Sequence, residues 1–389
     1  MIKKIAVLGS TGSIGKSSLK IIKKKIHLFS IETLVANKNF KEIINQVKEF
    51  KPKNFIINDY RTFLKVVKHT KNKKTHFHYK IKNFSTNKIF YDFTIVAIPG
   101  LAGLEPTIYF TKKSKTMYLA NKESIICGWS LINKVAKKNN VKITPLDSEH
   151  FSIMHLIKNH KISEIKKIYL TASGGPFLNT SIRKIYNAKP SEALKHPKWS
   201  MGKKISIDSA TMMNKLFELC EAQRLFSIPS SKLDIIIHPQ SLVHAIVKFK
   251  NGLIKFLYHE PNMTIPISNA IFPDNNKIED FIKKTKENNI KNLEFISVDK
   301  KRFPATKLIN KINEHISAPI IVNAANEILV DHYLQKKIKF KGIYDYLTLV
   351  LRDKDYKKYA IQKPSNLKKI YNIDFWARNK TKEFIEKIK

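Results

Sequence analysis

The chain has 389 residues, which suggests two or three domains at roughly 150 residues each, and its 43% hydrophobic content excludes wholesale disorder. The formal net charge is +41, but only six of the 72 basic residues are arginine and the lysines are spread along the chain, so we expect no dedicated nucleic-acid role. No run approaches the roughly 20 apolar residues of a membrane span, and two cysteines without a leading signal segment predict a cytoplasmic protein with no membrane partner.

The N-terminal segment predicts a dinucleotide-binding unit. Residues 5–8 form a short apolar strand, GSTGSIG follows at 9–15, residues 18–25 have helical character, and 31–35 can form a second strand. In this context a glycine lets the backbone approach a pyrophosphate, and the helix N-terminus offers free N–H groups to it. The spacing is a variant of the stricter glycine pattern, so an ordinary strand-to-helix turn stays an alternative.

The end of the second strand indicates which cofactor would bind. Residues 36–39 read Ala-Asn-Lys-Asn, with no acid to hold a ribose 2′-hydroxyl, whereas Lys38 and the two amides suit a 2′-phosphate. NADP is therefore favoured over NAD. Further strands at 93–98 and 116–120 end on polar or glycine-rich segments, where open α/β sheets bind ligands, although simple loop packing also explains the glycines of 99–103.

A strand at 141–146 ends on two acids, Asp147 and Glu149. Carboxylates two residues apart at a strand end can turn toward one point and suit Mg²⁺ or Mn²⁺. A lone Asp-x-Glu pair is also common on surfaces. His150 and His155 raise the alternative of zinc, but no cysteine accompanies them and they lack the spacing of a zinc helix.

The next segments offer groups for an anion and a lid. A strand runs into a Ser-Gly-Gly turn at 173–175, which exposes the N–H groups of an anion nest. The segment HPKWSMG at 196–202 is typical of a lid, or else of a loop that buries its own tryptophan. The histidines of the apolar region 234–258, His238 and His244, are interpreted as buried sheet residues.

The segment 206–218 is the densest in functional groups. If its second half is helical, Asn214, Lys215 and Glu218 share one face, so an amide and an ammonium lie near a serine hydroxyl and can hold a phosphate. Glu218 would then complete a three-carboxylate metal site with Asp147 and Glu149. Taken alone, the Lys-x-x-Glu spacing is also that of an ordinary solvated helix pair.

Together these motifs resemble the 1-deoxy-D-xylulose 5-phosphate reductoisomerase family of the non-mevalonate pathway to isoprenoid precursors. The resemblance covers essentially the whole chain, and its motifs occur in family order: GSTGSIG at 9–15, ANKES at 120–124, PLDSEH at 145–150, SGGPF at 173–177, HPKWSMG at 196–202, SATMMNK at 209–215, HPQS at 238–241 and NAANE at 323–327.

The resemblance implies an α/β homodimer with a Rossmann-like NADPH domain, a central α/β catalytic domain with a mainly open sheet, and a C-terminal helical domain. The implied segments are 1–147 for NADPH, 148–275 for catalysis, metal binding and dimerisation, 276–299 as a linker, and 300–389 for the helices. The implied reaction rearranges 1-deoxy-D-xylulose 5-phosphate and reduces the product with NADPH to 2-C-methyl-D-erythritol 4-phosphate, using Mg²⁺ or Mn²⁺.

Site residues follow from the same resemblance, residue by residue. Cofactor contacts fall on Thr11, Gly12, Ser13, Ile14, Asn37, Lys38, Asn39, Asn121, Glu123 and Gly202. The metal ligands are Asp147, Glu149 and Glu218. Substrate contacts fall on Lys122, Ser148, Glu149, Ser173, His196, Ser209, Asn214, Lys215 and Glu218. Among these, the catalytic residues are Lys122, Asp147, Glu149, His196 and Glu218.

Three positions depart from the family pattern. Asn37 and Leu216 stand where glycine is usual, and Phe151 is bulkier than the usual residue. Two other functions remain to be compared: another NADP-dependent dehydrogenase, which would not need three carboxylates, and a basic binding protein, whose nucleic-acid partner the acids would repel.

Overall fold

The computed structural model describes residues 2–70, 74–85, 89–199, 201–273, 281 and 292–387. These residues form two compact units. The first draws on Met1–Ser124, Ser130–Asp147 and Met263–Lys286, and the second on Ile125–Trp129, Ser148–Asn262 and Glu287–Lys389. None of the helices in the described part of the chain combines the length and the apolarity that crossing a membrane requires.

The first unit contains a seven-stranded sheet whose paired strands are all parallel. Its strands are β1 (Lys3–Leu8), β2 (Phe29–Ala36), β3 (Asn54–Ile57), β4 (His76–Tyr79), β5 (Tyr91–Val96), β6 (Ser114–Leu119) and β7 (Lys142–Pro145). Helices follow in the connections: α1 (Ser13–Lys24), α2 (Phe40–Phe50), α3 (Tyr60–His69), α4 (Leu104–Thr111) and α5 (Lys122–Lys138).

The strand order is β4-β3-β2-β1-β5-β6-β7, so the chain reverses direction across the sheet beside β1. In open α/β sheets, ligands bind at such a reversal, outside the carboxyl ends of the strands. The turn at 9–15 lies there, because it follows β1 and leads into α1. The Rossmann-like interpretation is confirmed.

The second unit is built on a four-stranded mixed sheet of order β11-β10-β8-β9. Its strands are β8 (Ile165–Ala172), β9 (Leu233–Ile237), β10 (Val243–Phe249) and β11 (Ile254–Tyr258). The helices before and between these strands are α6 (Ser148–Ile157), α7 (Ile182–Tyr186), α8 (Pro190–Ala193), α9 (Lys203–Thr211) and α10 (Met213–Phe226). Apolar residues of α6, α10 and the three strands β8, β9 and β10 share one buried core.

Helices dominate the C-terminal segment, as predicted. They are α12 (Ile309–Ile312), α13 (Ala318–Leu334), α14 (Phe340–Arg352), α15 (Tyr356–Ala360) and α16 (Leu367–Lys387). Helix α13 packs against both α14 and α16, and 12 of its 17 residues are buried, so this helix forms the centre of the helical part.

One segment returns to the first unit from far along the chain. Helix α11 (Thr264–Ile271) packs against α1, and Tyr118 at the end of β6 donates a buried hydrogen bond of 2.6 Å to the Ala270 carbonyl. Ile267 and Ile271 belong to the core of the first unit. Compactness alone does not define functional domains, so the four-segment division stays a prediction, and most of its 276–299 linker lies outside the described residues.

The turn that follows β1 has room for glycine alone at two positions. A Cβ on Gly9, which has φ +83°, would lie 2.5 Å from the Ala97 carbonyl oxygen, and a Cβ on Gly15 would lie 2.3 Å from the Gly9 oxygen. Backbone atoms on both sides cannot yield as a flexible side chain can. The glycines therefore permit a close approach of α1 to the strand ends.

We expect Gly15→Ala to lower the free energy of unfolding by about 1–3 kcal/mol, because the added methyl overpacks a site closed by backbone. Urea unfolding measures this change. The matched control is Gly342→Ala in α14, where the nearest atoms, 3.3 Å away, belong to the movable ring of Tyr346. This variant should gain up to about 1 kcal/mol from helix propensity. Equal unfolding midpoints for the two variants would contradict the assignment.

Candidate active site

The predicted cofactor residues of the first unit lie at three places around the strand ends. Gly12 directly precedes α1, whose first intrahelical bond runs from Lys16 N to the Gly12 carbonyl. The N–H groups of Ser13 and Ile14 in the first turn therefore have no acceptor within their own helix, which makes the turn suitable for an anion. Thr11 is half-buried beside them, and Gly12 and Ser13 are exposed.

The other two places are the ends of β2 and β6. Asn37, Lys38 and Asn39 follow β2 and are exposed. Asn39 also caps α2, because its side chain accepts a hydrogen bond from Glu42 N. No acid lies in this segment, so the side chains remain compatible with a 2′-phosphate.

Asn121 is more constrained than its motif suggested. It caps α5, since its Oδ1 accepts from Ser124 N at 2.6 Å. Its Nδ2 donates to the carbonyls of Ile98 and Gly100 and lies 3.3 Å from Glu123 Oε2. The side chain thus fixes the loop after β5 to the start of α5. A cofactor contact by Asn121 and Glu123 stays a prediction.

Three acids form the centre of the candidate site. Asp147 directly precedes α6, Glu149 lies in the first turn of α6, and Glu218 lies in α10. One carboxylate oxygen from each residue lies within 4.8 Å of the others. The set contains only oxygen donors, the ligand type that Mg²⁺ and Mn²⁺ prefer, and no cysteine or histidine of a zinc site. The residues therefore fit the predicted cation.

Lys215 connects the acids of α6 and α10. Its Nζ lies 2.7 Å from Glu149 Oε1 and 2.6 Å from Glu218 Oε2. Asn214 Nδ2 donates to the other oxygen of Glu218, as the four-residue spacing predicted. Glu218 is only 1% exposed, so this Lys-x-x-Glu pair is buried and is not a solvated surface pair.

Two further groups surround the acids. Lys122 Nζ lies 3.4 Å from Asp147 Oδ2, and Ser148 Oγ donates to Glu149 Oε2 at 2.6 Å. Ser148 is buried in the first turn of α6. An ammonium and a hydroxyl donor therefore lie beside two of the three acids.

Ser173 and His196 form a hydrogen-bonded pair. The Nδ1 atom of His196 accepts from the backbone N–H groups of Trp199, at 2.9 Å, and Lys198, at 3.2 Å, so it carries no proton. The proton of the neutral ring then sits on Nε2, which lies 3.0 Å from Ser173 Oγ and donates to it. Gly175 N also donates to this oxygen. The Ser173 hydroxyl proton is therefore available to another acceptor.

The remaining predicted residues of the second unit lie at the two ends of α9. Gly202 precedes this helix, and Ser209 lies in its last turn. A Cβ on Gly175 would lie 3.3 Å from the Ser209 carbonyl oxygen, so the Ser-Gly-Gly turn packs directly on α9. Trp199 and Met201 are half-buried, and Ser200 lies outside the described residues.

Two of the three departures from the family pattern are buried. Leu216 is 0% exposed and lies inside α10, and Phe151 is 3% exposed and packs on the His155 ring. The protein interior therefore accommodates both side chains, although they are larger than the residues usual in the family.

A histidine pair beside Glu149 was not recognised from the sequence. His244 and His259 stack at 3.8 Å between ring centroids, and His244 Nδ1 lies 4.0 Å from Glu149 Oε1. Burial, together with the His244 charge, lowers the pKa of His259 to about 4. Because β10 and β11 are antiparallel and Val243 pairs with Tyr258, the residues that follow each of them, His244 and His259, are diagonal neighbours on one face of the sheet. A hairpin alignment of 243–258 could have revealed the pair.

The fold and the site together define a class of protein. A parallel sheet with a glycine turn at its reversal point is typical of dinucleotide-dependent oxidoreductases. The cluster of three acids adds a set of oxygen ligands for a divalent cation, which hydride transfer alone does not need.

Comparisons with known proteins agree with this class. Three family models match: "1-deoxy-D-xylulose 5-phosphate reductoisomerase" over residues 5–128, its C-terminal domain over 143–226, and "DXP reductoisomerase C-terminal domain" over 259–380. The 1-deoxy-D-xylulose 5-phosphate reductoisomerase of Pelagibacter ubique (strain HTCC1062) is 48% identical over 96% of this chain and 97% of its own length. That of Wolbachia pipientis wMel is 40% identical over 97% and 96%.

Comparison with solved structures indicates the same family. A "DOX-P Reductoisomerase in complex with NADPH, fosmidomycin and magnesium" has a TM-score of 0.91 at 32% identity and covers 99% of this chain and 98% of its own. The reductoisomerase from Zymomonas mobilis in complex with NADPH has a TM-score of 0.88 at 32% identity, over 99% and 100%. The chain belongs to the 1-deoxy-D-xylulose 5-phosphate reductoisomerase family.

We expect the His196 ring to stay neutral well below pH 6. Burial, and then the nearby Lys215 charge, lower the pKa of His196 to about 4, against about 6.5 in the unfolded chain. Between these two pKa values the unfolded state binds a proton on this ring and the folded state does not. The free energy of unfolding therefore decreases as the pH falls from about 6.5 toward 4. NMR titration of the ring measures this pKa directly.

The His196→Gln variant is the control for stability, because glutamine does not titrate. Its urea unfolding midpoint should fall less than that of the wild type between pH 7 and pH 5. A ring that titrates near its ordinary pKa would contradict the buried, Ser173-bonded position.

Proposed function

We propose that this chain converts 1-deoxy-D-xylulose 5-phosphate to 2-C-methyl-D-erythritol 4-phosphate with NADPH and a divalent cation. In this reaction one carbon–carbon bond breaks and another forms, which gives a branched aldehyde phosphate. A hydride from NADPH and a proton then reduce the aldehyde to the alcohol. The observation that carries the proposal is the grouping of three carboxylates with Lys215 in a member of this family.

The first unit would bind NADPH. The turn of Thr11, Gly12, Ser13 and Ile14 would hold the pyrophosphate on free N–H groups, since it precedes α1. The exposed Asn37, Lys38 and Asn39 would bind the 2′-phosphate, with Asn121, Glu123 and Gly202 as further contacts. When bound, the nicotinamide supplies the hydride.

Asp147, Glu149 and Glu218 would hold Mg²⁺ or Mn²⁺. When bound, the cation acts as a Lewis acid on adjacent carbonyl and hydroxyl oxygens and fixes their geometry. Lys122, at 3.4 Å from Asp147, would orient that carboxylate and contact the substrate. Ser148 would hold Glu149 through its hydrogen bond.

Ser173, Ser209, Asn214 and Lys215 would bind the substrate phosphate. His196 donates to Ser173 Oγ and so turns the serine proton outward to a phosphate oxygen. Lys215 and a divalent cation cannot share the oxygens of Glu149 and Glu218 without repulsion. We infer that the Lys215 ammonium leaves them for the phosphate when the site is loaded. The loop of His196, Trp199 and Met201 would exclude water from the aldehyde.

We expect Asp147→Asn, Glu149→Gln and Glu218→Gln each to lower turnover by roughly 100-fold or more, because a hard cation loses a charged ligand. NADPH oxidation with 1-deoxy-D-xylulose 5-phosphate and Mn²⁺ measures turnover, and electron paramagnetic resonance measures Mn²⁺ affinity. The control is Asp234→Asn in β9. The Asp234 side chain is 48% exposed and pairs with Lys167. A wild-type chain that oxidises no NADPH in this assay would refute the proposed function.

A homodimer is the second part of the proposal. Strand β11 is an outer strand of its sheet. Near this edge, Leu253, Ile254 and Phe256 are 57%, 55% and 48% exposed. An exposed apolar edge strand invites pairing with another chain. We infer that a second copy covers it.

Ile254→Lys combined with Phe256→Lys should convert the dimer to a monomer, because two buried ammonium groups would oppose pairing. Light scattering coupled to gel filtration measures the mass. Leu64→Lys with Val67→Lys on α3, at 48% and 45% exposure, is the matched control and should stay dimeric. A wild-type monomer, or equal masses for both double variants, would argue against this interface.

A further inference from the structure

Helix α9 carries Ser209, and the backbone breaks directly after this helix. Met212 has φ 65° and ψ 6°, a left-handed conformation, so α9 and α10 are not one continuous helix. The orientation of Ser209 is therefore not dictated by the position of Asn214 and Lys215 on α10. It depends on what fixes α9 against the rest of the second unit.

Asp208, the residue before Ser209, anchors α9 in the interior. It is 2% exposed and accepts a hydrogen bond of 2.7 Å from Asn326 Nδ2. Asn326 lies in α13, 118 positions later, and is 0% exposed. Lys204 Nζ, one turn earlier in α9, lies 3.0 Å from the other oxygen of Asp208. Each carboxylate oxygen thus has its own partner.

On another side, α9 packs against the turn that follows Ser173. A Cβ on Gly175 would lie 3.3 Å from both the Ser209 carbonyl oxygen and Ala210 Cα. With backbone packed on backbone, a rotation or shift of α9 must change the relation between the Ser173 and Ser209 hydroxyls. The two serines are candidate ligands of one phosphate, so their relation is functional.

A buried carboxylate costs more than an apolar side chain at the same contact, unless its oxygens are fully paired. An apolar contact would be enough to hold α9 against α13. What the Asp208–Asn326 bond adds is direction, because a hydrogen bond weakens steeply when its geometry changes, whereas apolar packing tolerates rotation. The bond therefore fixes the rotation of α9 about its axis.

We propose that Asn326 is a positioning residue for the substrate phosphate. Through Asp208 it holds α9 so that Ser209 faces the phosphate together with Ser173. The NAANE segment of the C-terminal helices then contributes to substrate affinity without touching the substrate. This inference rests on the proposed function and specifies how its phosphate site is held.

The test compares three variants with the wild-type enzyme. Asn326→Asp places a second carboxylate against Asp208 and should raise the KM for 1-deoxy-D-xylulose 5-phosphate by about 10-fold or more. Asn326→Leu removes the hydrogen-bond donor to Asp208 and should also raise this KM. Asp208→Asn with Asn326→Asp exchanges the two groups and restores the bond, so this KM should return to within about 3-fold of the wild type. The KM for NADPH and the Mn²⁺ affinity should stay near wild-type values throughout.

The matched control is Asn323→Leu, one turn earlier on α13. Asn323 is also 0% exposed, but its Nδ2 donates to Glu327 of its own helix at 3.3 Å. This variant should keep the wild-type KM for the sugar phosphate. Equal effects of the 323 and 326 variants would overturn the inference and indicate a general loss of packing.

Two further outcomes separate the inference from the proposed function. A wild-type enzyme without turnover would refute the function, whereas an active wild type whose 326 variants keep a normal substrate KM would refute only the positioning role. If Asn326→Asp does not fold, a folded double variant with normal substrate KM supports the inference. A folded double variant with a raised KM overturns it.

Discussion

A carboxylate that is withdrawn from water must find positive charge or hydrogen-bond donors, and this requirement arranges the site of the second unit. Glu218 is almost completely buried, and Lys215 and Asn214 on its own helix satisfy it. Lys215 also reaches Glu149, which fixes α6 against α10. Two of the three acids that can hold a cation, Glu149 and Glu218, are therefore brought together by the same contacts that compensate for the burial of Glu218.

Much of the fold follows from local patterns in the sequence. The apolar runs of β1, β5 and β6 mark buried strands because parallel sheets are covered on both faces. The glycine turn and α1 follow from the strand–turn–helix order. The grouping of Asn214, Lys215 and Glu218 follows from helical spacing, since these residues lie within one turn of each other.

The rest depends on contacts between residues that are distant in the chain. Nothing local indicates that Lys215 bonds to Glu149, 66 residues away, or that Ser173 accepts from His196. The motif that contains Asn121 also did not indicate that its side chain bonds to the loop of Ile98 and Gly100, and the cofactor contact of Asn121 stays a prediction. Polar residues in a motif can serve the backbone or a ligand, and only the tertiary structure distinguishes the two.

The return of α11 to the first unit has a consequence for biosynthesis. The core beside α1 includes Ile267 and Ile271, and Tyr118 bonds to Ala270. At roughly 5–20 residues per second, the ribosome needs several seconds or more to pass from residue 147 to this segment. During that interval the nascent N-terminal unit exposes the apolar surface that α11 will cover. The second unit's 148–262 segment is, in effect, an insertion into the first, whose completion waits for a segment made after it.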